Sequence, residues 1–267
     1  MVHRETIGAV AVLTMDGPPV NALNTAMYHA LIERIAELER DTSVRVVVMR
    51  AASAIRVFSA GGDIKEFERF FIPGEGYKIC KLTHEINNRL EALAQITIAA
   101  LEGPALGGGA ELALAFDLRV ATPLVRFGFP EIQVGQVPGT GGTLRLPWLI
   151  GESAARGILL TGDPITADRA YQLGLFHLLV QPGQAVDSAL SWAAQLAQRP
   201  AQSVLAIKRS VLQNRDRDVE KGTERDSQLS EWVFQSDDAK EGHYAFLEKR
   251  QPHYSHKIAP MQEVPHS

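Results

Sequence analysis

Apolar residues recur in two rhythms along the first half of the chain. From Ile7 to Met15 the sequence is β-branched and apolar, which predicts a strand, until Asp16-Gly17-Pro18-Pro19 breaks it. Asn24 or Thr25 can then cap a helix that carries Met27, Leu31, Ile35 and Leu38 on one face. Val44 to Met49 is a near-continuous apolar run, as expected of a strand covered on both faces, and it feeds a turn from Phe58 to Lys65. A helix from about Tyr77 to Ala94 follows, then a strand from Ile96 to Leu101. That strand runs through Glu102-Gly103-Pro104 and a triple glycine into a helix from about Gly108 to Phe116, so the order strand, turn, helix is repeated.

Leu118 to Ala121 predicts a further short strand, and the Pro- and Gly-rich span from Pro123 to Gly142 a long ordered loop system, a kind of segment that is usually functional inside a compact domain. Beyond Gly151 the pattern turns helical, with one apolar strand at Leu175 to Val180 and a turn at Pro182-Gly183. Helical spacing covers Val186 to Gln198, Ser203 to Gln213 and Glu220 to Ser236. The residues Trp192, Leu196, Leu205, Ile207, Leu212, Trp232 and Phe234 on these helices offer more apolar surface than a peripheral tail needs. A soft boundary near Arg199-Pro200 divides a core of residues 1–199 from a helical region of residues 200–267, whose last part, from about Pro252, is expected to fray. Repeated strand-to-helix crossovers imply an α/β fold, although periodicity does not separate a spiral of ββα units from a doubly wound sheet.

With 267 residues and 45% apolar content the chain can bury a substantial core. Its net charge of −4, without a block of like charges, argues against a nucleic-acid surface. Cys80 is the single cysteine, which excludes an internal disulfide and is expected in a core or on a helix face. No secretory pattern opens the chain and no run is long and apolar enough for a membrane span, so a cytoplasmic location is expected.

Candidate chemistry centres on two glutamates in glycine-bearing segments: Glu111 in Gly107-Gly108-Gly109-Ala110-Glu111-Leu112, and Glu131 in Phe127-Gly128-Phe129-Pro130-Glu131-Ile132. A carboxylate in apolar surroundings loses hydration, which moves its pKa toward the range useful for proton transfer. The turn Phe58-Ser59-Ala60-Gly61-Gly62-Asp63-Ile64-Lys65 adds backbone N–H groups that can face a ligand. Other motifs fail on inspection. Gly139-Thr140-Gly141-Gly142-Thr143-Leu144 lacks the third glycine of a dinucleotide loop, and no phosphate-loop pattern occurs. His84-Glu85 begins like a zinc motif but Asn88 stands where the second histidine belongs, so no metal is implied. Ser59 and Ser153 lie near glycines without forming a nucleophile elbow.

The three motifs Phe58-Ser59-Ala60-Gly61-Gly62-Asp63-Ile64-Lys65, Gly107 to Leu112 and Phe127 to Glu131, in that order, resemble the enoyl-CoA hydratase/isomerase (crotonase) superfamily. Asn21-Ala22-Leu23-Asn24, Pro138-Gly139-Thr140-Gly141-Gly142-Thr143 and Ala245 to Arg250 extend the resemblance over about residues 5 to 255. It implies the spiral of ββα units found in crotonases (a ClpP-like fold), with a helical C-terminal region that trimerises, commonly into a hexamer. It also implies hydration of a trans-2-enoyl-CoA without redox cofactor or metal, coenzyme A being part of the substrate. In that reading Glu131 protonates the α-carbon, Glu111 activates the attacking water, and Gly62 and Gly108 N–H groups form the oxyanion hole, although alanine is frequent in the family at position 62. Ala60, Gly62, Asp63, Ile64 and Lys65 would contact the CoA arm and Gly139 would lie near the water. Phe246 and Lys249 of a neighbouring subunit would reach the nucleotide. Pro18, Pro19 and Val20 occupy a stretch where many relatives carry a basic residue. An enoyl-CoA isomerase, which relies mainly on one glutamate, and a catalytically silent acyl-CoA-binding homologue are the alternatives.

Overall fold

The structure, a computed structural model, describes residues 1–261. Glycine makes the first departure from expectation. Gly8, at φ 58°, turns the chain between β1 (Val2–Ile7) and β2 (Val10–Met15), so the apolar run expected as one strand is the end of one and the whole of the next, paired antiparallel. The strands that follow are β3 (Val46–Ala51), β4 (Ile96–Leu101), β5 (Ala105–Leu106), β6 (Leu118–Ala121), β7 (Arg126–Gly128), β8 (Ile165–Thr166) and β9 (Leu178–Leu179). One sheet has the order β1-β2-β3-β4-β6-β9 and is parallel from β2 onward; the other has the order β5-β7-β8. Parallel strands covered on both faces read as unbroken apolar runs, and Val46, Val47, Val48 and Met49 are each fully buried.

Eight helices accompany these strands: α1 (Thr25–Arg40), α2 (Phe67–Phe70), α3 (Glu75–Ala92), α4 (Gly108–Leu114), α5 (Gly142–Ile150), α6 (Glu152–Thr161), α7 (Ala167–Gln172) and α8 (Ala185–Leu196). The Asn24 side chain caps α1 by accepting from Met27 N at 2.9 Å, and Met27, Leu31, Ile35 and Leu38 face the core as the spacing predicts. The strand expected at Leu175 to Val180 shrinks to two residues. Leu175 and Phe176 instead leave the ladder to fill the core, and the Leu175 carbonyl accepts from the buried Arg119 Nε at 2.5 Å. Within the span expected as loop lie β7 and a 3-10 turn, Pro130–Val134. Phe127 stacks edge-on with both Phe129 and Phe176, which anchors this segment in the core.

Residues 1–194 form one compact unit, and the described residues from 195 onward form a second. The second unit contains α9 (Ala201–Gln213), α10 (Val219–Phe234) and α11 (Asp237–Leu247). Leu205 and Trp232 are buried inside it, so they are not part of the surplus apolar surface expected of them; Ile207 and Phe234 are exposed. The chain expected to fray from residue 252 is tied down as far as Ala259. Ser255 N and His256 N donate to Asp238, Ala259 N donates to Gln202 Oε1, and the Ala259 carbonyl accepts from Trp232 Nε1. These bonds satisfy Asp238, itself buried, and offset the missing secondary structure. Fraying expected of residues 262–267 concerns positions outside those described.

The packing of α4 on the preceding turn leaves no space. A Cβ on Gly109 would lie 2.6 Å from both Ser59 O and Ser59 Cβ. Gly109→Ala is therefore expected to destabilise the fold by about 2 kcal/mol through overpacking, measured as a lower midpoint in urea unfolding with an unchanged slope; an unchanged midpoint would show that α4 can move without cost.

Candidate active site

Three chain segments converge at the start of α4. Asn21, with φ 50°, accepts from Gly17 N at 2.8 Å and donates from Nδ2 to Phe58 O at 3.1 Å, while Ser59 Oγ donates to Asn21 O at 2.8 Å and accepts from Gly61 N at 3.1 Å. Leu23 bridges to Gly62 in parallel fashion. The Asn21-Ala22-Leu23-Asn24 motif thus works as a brace that shapes the turn from Ser59 to Gly62. Gly61 has φ 93°, and a Cβ there would stand 2.8 Å from Leu106 O and 3.1 Å from Gly108 N. A Cβ on Gly108 would in turn lie 3.5 Å from Gly62 N. The N–H groups of Gly62 and Gly108 are therefore neighbours, and among the described residues neither donates to a protein acceptor.

Glu111 sits on the first turn of α4 with only 2% exposure. Its Oε1 accepts from Thr140 N and Gly142 N, both at 2.8 Å, and its Oε2 accepts from Thr140 Oγ1. Burial pushes the carboxyl upward from its ordinary value, opposed by those three donors and by the charge of His84. The loop that supplies the donors is held by Asn87 of α3, whose Nδ2 donates to Thr140 O at 2.9 Å.

Glu131 is delivered from the other side. Gly107 N donates to Gly128 O at 2.9 Å, which ties β7 to the entrance of α4, and the 3-10 turn then lays Glu131 over Gly107. Only glycine fits there, since a Cβ on Gly107 would be 2.8 Å from Glu131 Oε1, and φ is 51°. Glu131 Oε2 is buried without a hydrogen-bond partner. Burial, opposed by its own backbone N–H and reinforced by the charge of Glu111, pushes its pKa up to about 7. The two carboxyl groups thus meet unlike surroundings: Glu111 has three donors, and Glu131 has one oxygen without a partner.

Of the remaining residues expected at the site, Ala60, Asp63, Ile64, Lys65 and Gly139 belong to the first unit and Phe246 and Lys249 to the second. Ala60, Ile64 and Lys65 are exposed, and Asp63 caps the short 3-10 turn Ile64–Glu66 by accepting from Lys65 N at 3.0 Å. Gly139 lies beside Cys80, whose Sγ would be 3.7 Å from a Cβ at that glycine. Phe246 and Lys249 belong to the second unit, where both are exposed. Asn21, Ser59, Asn87, Gly107 and Thr140 are the residues of the site that the sequence reading did not single out. Of these only Asn21, Ser59, Gly107 and Thr140 carried a signal, as members of the quoted motifs. Among the described residues no group of three or more His, Cys, Asp or Glu is placed to hold a metal ion, and no helix is long and apolar enough to cross a membrane.

Known proteins with similar sequence and structure carry this arrangement further. The family described as enoyl-CoA hydratase/isomerase matches residues 5–257. A probable enoyl-CoA hydratase of Bacillus subtilis (strain 168) is 34% identical over 92% of this chain and 95% of its own length. A short-chain-enoyl-CoA hydratase of Clostridium acetobutylicum is also 34% identical, over 92% of this chain and 94% of its own. The crystal structure of an enoyl-CoA hydratase from Geobacillus kaustophilus HTA426 superposes with a TM-score of 0.91 at 31% identity, covering 96% of this chain and 97% of the other. The α/β architecture is the crotonase fold, and the chain belongs to the enoyl-CoA hydratase/isomerase family.

Proposed function

We propose that this protein is an enoyl-CoA hydratase, a lyase that adds water across the double bond of a trans-2-enoyl-CoA thioester to give the 3-hydroxyacyl-CoA. The observation that carries the reading is the pair of carboxyl groups, Glu111 buried and Glu131 half-buried, in unlike surroundings. Hydration needs a base for the water and an acid for the α-carbon at the same pH. Glu111, whose three donors oppose the upward push of burial on its pKa, takes the proton from water as its oxygen bonds to the β-carbon. Glu131, with a pKa of about 7 and a bare Oε2, retains a proton to deliver to the α-carbon. Charge that builds on the thioester oxygen between these steps is received by the adjacent Gly62 and Gly108 N–H groups, each such donor being worth about 3 kcal/mol. Atoms balance: water supplies OH to one carbon, Glu131 supplies H to the other, and the proton on Glu111 returns Glu131 to its acid form by exchange.

The turn from Ala60 to Lys65 contains Gly62 and exposes Ala60, Ile64 and Lys65, and it is the stretch we assign to the CoA arm. Assembly is part of the same proposal. In the second unit Ala206, Ile207, Val211, Leu229, Val233 and Phe234 line an apolar groove of about 440 Å³, a surface that a closed ring of subunits would cover. Phe246 and Lys249, both exposed, would then complete a neighbour's CoA site in a trimer or hexamer. The proposed reaction uses no redox cofactor and no metal, and we place it in the cytoplasm.

Turnover of a panel of 2-enoyl- and 3-enoyl-CoA thioesters tests the reaction. Hydration of the 2-enoyl esters is expected, with Glu111→Gln and Glu131→Gln each lowering kcat by about 10² while leaving CoA-ester binding intact; preferential double-bond migration in 3-enoyl esters would replace hydratase by isomerase. Gly62→Ala keeps its N–H and is expected to stay within about tenfold of the parent rate.

The protonation assignment also has a consequence for stability. Between the ordinary value of 4.5 and the folded value of about 7, the folded chain holds a proton on Glu131 that the unfolded chain releases. Stability from this group is therefore full below about pH 4.5 and is lost as pH rises through 7. Glu131→Gln should raise Tm relative to the parent at pH 8 and leave it unchanged at pH 4; equal Tm values at pH 8 would contradict a raised pKa. For assembly, sedimentation is expected to give a trimer or hexamer, with Lys249→Ala weakening CoA-ester binding at unchanged mass, whereas a fully active monomer would refute the shared site.

A further inference from the structure

Glu111 has to hold its position in two protonation states, and the partners of its two oxygens differ in whether they permit that. Oε1 accepts from the backbone N–H groups of Thr140 and Gly142, which can only donate. That oxygen keeps its lone pairs engaged throughout, so the proton taken from water has to arrive on Oε2. The partner of Oε2 is the Thr140 hydroxyl. A hydroxyl rotates, and can accept as readily as it donates. We infer that the Thr140 hydroxyl is a positioning group for Glu111, reversing its hydrogen bond when the carboxylate is protonated so that the base stays in register with the water in both states. The inference rests on the hydratase reading above, and it adds a residue to the reaction that the glutamates and glycines do not account for.

The surroundings favour an adjustment at the hydroxyl over one in the backbone. Glu111 is 2% exposed, so bulk solvent does not supply a group that can both donate to and accept from its Oε2. The backbone beneath Thr140 is fixed on both sides. Asn87, 4% exposed, holds the Thr140 carbonyl at 2.9 Å, and Arg145 N donates to Gly141 O at 2.7 Å. The loop therefore cannot follow a carboxyl that swings away, whereas a single side-chain O–H can turn. The other titratable groups whose charge bears on Glu111, or on which its charge bears, are Tyr28 of α1, Cys80 and His84 of α3, and Glu131 of the 3-10 turn. Among the described residues none of them forms a hydrogen bond to Glu111, so none substitutes for the hydroxyl.

The test compares Thr140→Val, which keeps the shape and removes the hydroxyl, with Thr140→Ser, which keeps the hydroxyl and removes the methyl. The full-length chain is assayed for hydration of crotonyl-CoA across pH 5 to 9, with Tm recorded for each variant. The parent is expected to hydrate crotonyl-CoA. Thr140→Val should lose about tenfold in kcat, the effect of one hydrogen bond to a charged group, at unchanged KM. Its acidic limb in kcat should move to higher pH, because a carboxylate deprived of a donor is harder to ionise. Thr140→Ser should restore both. Thr140→Ala carries the same expectation as Thr140→Val and serves if the valine variant folds poorly. A parent-like kcat and acidic limb in Thr140→Val and Thr140→Ala would overturn the inference while leaving the hydratase reading in place. Equal impairment of Thr140→Ser and Thr140→Val would also overturn it, by making the methyl group the cause. A parent chain inactive on 2-enoyl-CoA esters would instead overturn the reading and the inference together.

Discussion

Between the turn from Ser59 to Gly62 and the first residues of α4 there is no room for a side chain, and the site depends on that contact. The backbone of Gly61 lies against Leu106 O and Gly108 N, and Gly109 lies against Ser59. Close approach of main chain to main chain is what sets two N–H groups side by side, and glycine is the residue that allows it. The parallel strands, the Asn21 brace and the Leu23–Gly62 bridge all act to hold one side of this contact, while β5, β7 and the helix α4 hold the other. In the proposed reaction, donors of this kind need no rearrangement when charge develops, so the position of the backbone would matter more than the identity of a side chain.

The same contact decides where the carboxyl groups can go. Glu111 lies one helical turn beyond Gly107, and its N–H closes the first bond of α4 on the Gly107 carbonyl. Glu131 comes to rest over Gly107 itself. A buried carboxyl group and a half-buried one near it cannot both ionise freely, and three donors serve Glu111 while Glu131 Oε2 has none. The proposed division of acid and base rests on this difference in hydrogen-bond supply.

Much of the first unit was legible in the sequence because its signals are local. The runs Ile96–Leu101 and Leu118–Ala121 form strands with those bounds, and the helix after Asn24 starts at its cap and buries the residues its spacing marks. The family and the fold were legible in three glycine-bearing motifs taken together. Less local features were not. A single glycine with positive φ at position 8 divides a continuous apolar run into two strands, and periodicity within the run carries no trace of it. The three-residue strand β7 is hidden in a Pro- and Gly-rich span because its pairing partners lie about twenty residues before it and nearly forty after. Thr140 reads as one more small residue of a glycine loop, since its role depends on Glu111, which is 29 positions away. Trp232 and Leu205 read as surface for assembly, yet they are consumed by the packing of their own unit.

The account turns on the claim that one carboxyl group is held as acid while its neighbour is held as base at neutral pH. Carbon-13 NMR of the side-chain carboxyl resonances in protein labelled at glutamate, followed from about pH 4 to pH 9, tests this most directly, because it reports ionisation without reference to turnover. A glutamate carboxyl resonance that titrates near 7 in the parent is expected to be missing in Glu131→Gln. A parent spectrum in which every glutamate carboxyl has ionised by pH 5 would contradict the account.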